Sequence, residues 1–130
     1  MKKLLLVLYI VPVFVFTQEA QIFKLNAVDM GFGGFQFLKG TVSITDNTVI
    51  IDYKKKSFAD ETFDLTIYEK VKDGKNCKDC TYLREYRSSN DLERIQILFP
   101  EKNLNTGTIV REIKDDFTDK IYKFTYLFKN

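Results

Sequence analysis

Along most of the chain the hydrophobic positions recur at every second residue, the period of a strand with one face buried and the other in water. The clearest run is 121–128, where Tyr122, Phe124, Tyr126 and Phe128 fall on one side and Lys123 and Thr125 on the other. Ile95, Ile97 and Phe99 repeat the pattern over 94–99, and Leu65 and Ile67 continue it in register from Phe63. Near the start, Phe23, Leu25 and Ala27 stand opposite Lys24 and Asn26. Few stretches carry a helical period long enough for three turns, so antiparallel strands with a polar outside are the expected element.

Turn chemistry separates these runs. Asp46-Asn47, two residues that tolerate positive φ, sits between 41–44 and 49–51 and predicts a two-residue hairpin. A longer loop opens at Asp73-Gly74, a tight one at Ser88-Ser89-Asn90-Asp91, and Pro100 to Gly107 ends a strand. Asp115, Asp116 and Asp119 mark the last turn. The expected strands are therefore 21–29, 35–45, 47–54, 62–71, 81–87, 92–99, 107–114 and 120–128, about eight in all. Short links between consecutive strands make a meander, and eight strands suffice to close it. The predicted fold is all-β, an up-and-down, barrel-like meander, with a two-sheet sandwich as the alternative. Residues 53–61, with three consecutive lysines followed by Phe58, are the least strand-like part and suit a short helical turn.

The first residues break the pattern. Lys2-Lys3 precede an apolar run over 4–16 that only Pro12 interrupts. A spanning helix needs about 20 apolar residues, so this run is too short to cross a membrane and matches a secretory leader instead. The expected organisation is a signal peptide over 1–17, with cleavage after residue 20 as the alternative, and one all-β domain over 18–130. The predicted location is periplasmic or secreted. No Cys follows the run, so a lipidated N-terminal cysteine has no attachment point.

Loss of the leader changes the charge. Of 20 basic residues Lys2 and Lys3 would go, leaving as many basic as acidic side chains. A neutral chain with both signs interspersed offers no electrostatic case for nucleic acid or anionic membranes as partners. The chain has no His, which removes histidine-based nucleophile triads, histidine-ligated metals and histidine proton shuttles. Catalysis would have to rest on carboxylates, Lys, Tyr or the two thiols.

Several features suggest chemistry, and each has a plainer explanation. Cys77 and Cys80 have the spacing of a redox pair but lack the helix N-terminus that would lower a thiol pKa. In an exported protein the expectation is a disulfide closing a small loop, worth roughly 2 kcal/mol. Met30 to Phe35, rich in Gly and Phe, is followed by a strand rather than a helix, so a wide turn or bulge is expected there instead of a phosphate loop. The acidic groups at Asp60, Glu61 and Asp64 and at Asp115, Asp116 and Asp119 lack the ligand spacing of a calcium loop, and solvated turns are expected. No cofactor or metal site is predicted.

The aromatic excess has the most functional colour. Tyr82, Arg84 and Tyr86 share one strand face, and Tyr122 and Tyr126 share another. If both faces lined a cup, rings and hydroxyls would suit a small apolar ligand. The expected function is a non-enzymatic binding or interaction module with a protein or small apolar partner. The alternatives are a carboxylate- or tyrosine-based enzyme in a barrel mouth, and a structural envelope or outer-membrane barrel component. Arg111, between Ile109 and Ile113, stands against membrane insertion because it puts a charge on the apolar face.

Overall fold

The computed structural model describes residues 20–31, 34–75, 81–100 and 106–130. The expected leader and the Cys77–Cys80 bridge lie outside these residues. The described chain is all-β: β1 (Gln21–Asp29), β2 (Gln36–Ile44), β3 (Thr48–Tyr53), β4 (Glu61–Asp64), β5 (Glu69–Gly74), β6 (Leu83–Arg87), β7 (Glu93–Leu98), β8 (Thr106–Lys114) and β9 (Ile121–Lys129). They form one curled sheet in the order β4-β3-β2-β1-β9-β8-β7-β6-β5, every neighbour antiparallel. This is the predicted barrel-like meander in a single sheet, so the two-sheet alternative does not hold.

The ninth strand comes from a break in the expected strand 62–71. Asp64 ends β4, and Leu65–Ile67 forms a single 3-10 turn before β5 begins. The Asp64 carboxylate accepts from the Thr66 backbone N–H (3.1 Å) and from its hydroxyl (2.5 Å), local bonds that compete with a ladder. Alternation alone does not register such competition, and Ile67, expected on the buried face, is exposed. Within 53–61 the chain makes one hydrogen-bonded turn rather than a helix, Phe58 N–H donating to the Lys55 carbonyl (3.1 Å), and Phe58 lies on the Tyr53 ring, centroids 5.5 Å apart. Eight antiparallel steps separate β4 from β5 in the sheet, so the two edge strands run the same way, as two halves of one broken strand.

The Asp46-Asn47 hairpin forms as predicted. Thr45 N–H donates to the Thr48 carbonyl (2.9 Å), and the Thr45 hydroxyl accepts from Asn47 N–H (3.2 Å) and Thr48 N–H (3.0 Å). Gly31 lies at φ 88°, in the left-handed region, just after β1; the centre of the turn expected over 30–35, residues 32–33, lies outside the described residues.

The core lies on the concave face. Register places Leu25, Val28, Val42, Ile44, Val49, Ile51, Phe63, Tyr86, Ile95, Ile97, Ile109, Tyr126 and Phe128 there, and all are buried in one cluster. Contacts cross the interior: Phe63 on β4 meets Tyr126 on β9 edge-on, centroids 6.0 Å apart. Two glycines let the sheet curl. A Cβ at Gly40 would fall onto the Asp52 carbonyl of β3, and one at Gly107 would lie 2.5 Å from the Phe128 ring.

Candidate functional site

Alternating strand directions put the β1–β2, β3–β4, β6–β7 and β8–β9 connections at one end of the curl. The β2–β3, β5–β6 and β7–β8 connections lie at the other, with the outer ends of β1 and β9. Between the ends the concave face is filled by the apolar cluster. At its two ends, polar groups on this face pair with each other.

At the first end Tyr53 donates its hydroxyl to Glu61 Oε2 (2.6 Å). Burial first, and then Glu61, push the hydroxyls of Tyr53 and Tyr126 well above the ordinary phenol range. Arg111 binds Glu93 through Nε (2.8 Å) and a terminal nitrogen (2.6 Å), its guanidinium 5.2 Å from the Phe63 ring centroid. The charge that the sequence placed on the apolar face is therefore an interior ion pair. Tyr68 joins it: burial and the Glu93 carboxylate raise its hydroxyl to about 12, while Arg111 pulls the other way. At the second end Arg84 bridges Asp73 (3.3 Å) and Asp46 (3.5 Å), the latter in the β2–β3 turn. Tyr82 donates to Asp73, and that bond, with Lys70 and Arg84, holds the Asp73 carboxyl below its usual range.

The five residues expected to line one cup are divided among these regions. Tyr82 and Arg84 come together at the second end, Arg84 lying 5.8 Å from the Tyr82 centroid and 4.9 Å from that of Phe99. With Gln21 they border a shallow recess of about 230 Å³. Tyr86 shares their face but is buried in the core, its hydroxyl without a hydrogen-bond partner. Tyr126 is buried mid-sheet, and Tyr122 is exposed at the opposite end, beside Lys120. Among the described residues no group of acidic side chains is placed to hold a metal. Asp64 caps its turn, and Asp115 accepts from Phe117 N–H (2.9 Å) in the β8–β9 hairpin.

A larger concavity lies on the outer face, where sequence reasoning placed only solvated polar positions. It is an open groove of about 700 Å³ across β9, β1, β2 and β3. Lys24, Lys39, Lys54 and Lys129 surround it, Thr41 and Asp52 lie across its middle, and Gly40 and Leu25 line it. Asn26 enters from the bulge where the β1 register shifts between Leu25 and Ala27. Phe37 borders it with 84 % of its surface exposed.

Register makes the lysines notable. Lys24 on β1 is directly opposite Lys129 on β9. Lys54 donates its N–H to the Lys39 carbonyl (2.9 Å), so those two also oppose each other beyond the Gly40–Tyr53 pair. Like charges directly opposite in a sheet are destabilising. Arg87 and Arg94 also oppose each other on the outer face, but that pair has carboxylates: the buried Glu85 lies 3.4 Å from Arg87 and 3.8 Å from Arg94, and Arg94 binds Glu112 (2.8 Å). The four groove lysines make no ion pair among the described residues. The nearby Asp60 carboxylate raises the pKa of Asp52.

These lysines lie far apart in sequence, and only pairing across β9, β1, β2 and β3 gathers them. The legible signal was partial, an outward lysine in an alternating strand, as Lys24 is. No protein-family model, curated protein or solved structure matches the chain.

Proposed function

We propose that this chain is a small, exported, non-enzymatic binding module that takes its ligand in the outer groove of β1, β2, β3 and β9 rather than in an interior cup. One observation carries the reading: the concave face is occupied by the protein's own side chains, while the outer face has an open concavity within the size range of ligand sites. Export rests on the lysine-led apolar run over 4–16. The enzyme alternative has less support, because Glu61 and Glu93 are engaged by Tyr53 and Arg111, and the raised tyrosines stay protonated and make poor bases.

Amide NMR of the labelled protein against a panel of small soluble compounds tests the location. Shifts confined to Lys24, Lys39, Thr41, Asp52, Lys54 and Lys129 are expected. Shifts centred on Ile95, Ile109 and Tyr126 would move the ligand to the interior and overturn the reading. Native mass spectrometry of protein purified without detergent supplies a second test, since a bound molecule that leaves on denaturation identifies a natural ligand.

A further inference from the structure

The lysine pairs restrict what the groove accepts. A sheet that sets Lys24 against Lys129 and Lys39 against Lys54, with no carboxylate bound to any of the four among the described residues, holds unneutralised positive charge at two points. Local rules broken in this way, with no ion pair among the described residues to offset them, suit positions that a ligand completes. An anion at each pair would turn two repulsions into two attractions.

Spacing sets the size of the anion. The pairs lie two residues apart along the strands and two strands apart across them, which puts their centres roughly 12 Å from each other. One phosphate or carboxylate reaches only one pair, so a ligand using both carries acidic groups about a nanometre apart. Between the pairs the surface changes character. Thr41, Asn26 and Asp52 offer hydrogen-bond donors and acceptors, which match hydroxyls rather than a hydrocarbon linker. Phe37, two residues beyond Lys39 on the same strand face, presents a flat ring to the C–H face of a sugar.

Resting on the groove reading above, we propose that the ligand is an acidic oligosaccharide, a short sugar chain with carboxylate, sulfate or phosphate groups that places one acidic group at each lysine pair. Asp52 takes a hydroxyl in the middle and disfavours a continuous polyanion with charge at every unit.

The test titrates the labelled protein with four probes: trigalacturonate, a sulfated trisaccharide, neutral maltotriose and a short oligothymidylate. The expected result is saturable binding of at least one acidic trisaccharide, at least about tenfold tighter than maltotriose. The amide shifts should lie in the groove, and affinity should fall as salt rises from about 20 to about 300 mM. Whichever acidic sugar binds more tightly identifies the acidic group. Lys39→Gln/Lys54→Gln and Lys24→Gln/Lys129→Gln should each weaken that probe at least about tenfold while raising Tm by about 1–4 °C, since each removes a repulsion. A lysine role in folding alone would lower Tm instead.

Equal binding of maltotriose in the groove overturns the acidic assignment and leaves the binding face standing. Tighter binding of the oligothymidylate overturns the carbohydrate assignment. Shifts in the interior overturn this inference and the binding face together. No groove shift with any of the four probes overturns the inference.

Discussion

Single residues decide whether this sheet can curl, and Gly40 is the sharpest case. Its partner across the ladder is Tyr53, and a Cβ would meet the Asp52 backbone, which cannot swing aside as a side chain can. Gly40→Ala is therefore expected to cost about 2–3 kcal/mol, read from the urea midpoint. The interior tyrosines set the alkaline limit of the fold. Tyr53, Tyr68, Tyr86 and Tyr126 all have hydroxyls raised above the unfolded value, with burial the leading cause in each. A group whose folded pKa lies above its unfolded one contributes stability that is complete below the unfolded pKa and lost as pH climbs toward the folded pKa. Stability should thus hold up to about pH 10 and fall steeply toward about pH 12. Tyrosinate absorbance for these residues should rise together with loss of the far-UV signal; ionisation of all four within an intact sheet would contradict their placement.

At the scale of elements, the sequence was most legible where alternation ran unopposed. Phe124, Tyr126 and Phe128 in β9 and Ile95 and Ile97 in β7 point inward as their period demanded. It was least legible at 62–71, where Asp64 and Thr66 form a local cap that alternation does not register. Asp64→Ala should loosen this corner: amide exchange in β4, the 3-10 turn and β5 should speed up several-fold while β8 and β9 keep their rates. Thr66 holds the Asp64 carboxyl below its ordinary range, so this contribution should fade as pH drops through the carboxylate region. The candidate site was hidden for a different reason. Lys24, Lys39, Lys54 and Lys129 are unremarkable outward residues until β1 is known to pair with β9, and that contact joins opposite ends of the described chain. The expected tyrosine cup failed to assemble for a related reason. Strand faces were legible, but positions along the curl were not, so Tyr122 and Tyr82 lie at opposite ends.

For the whole molecule the central fact is parity. A ring of strictly antiparallel strands needs an even number, and nine are reconciled with a curl because β4 and β5 run the same way as two halves of one strand. The split leaves two short edges instead of a full seam, and the β5 edge is bulged and carries Lys70 and Lys72, features that discourage edge-to-edge association. What holds the split sides together must then come from the interior. Arg84 ties β6 to the β2–β3 turn at one end, and Arg111 on β8 reaches across to Phe63 on β4 while bound to Glu93 on β7 at the other. The Arg111 and Glu93 side chains are 28 % and 22 % exposed, so the pair is only partly desolvated and a half-broken pair should cost less than a fully buried one. Arg111→Met is expected to destabilise by about 1–3 kcal/mol, because Glu93 keeps its charge and loses its cation. Adding Glu93→Gln to that variant should restore part of the loss, with a coupling of about 1–2 kcal/mol in a urea-denaturation double-mutant cycle. Additive losses would mean that the two residues act separately and that apolar contacts such as Phe63 on Tyr126 keep the sheet curled without the ion pair.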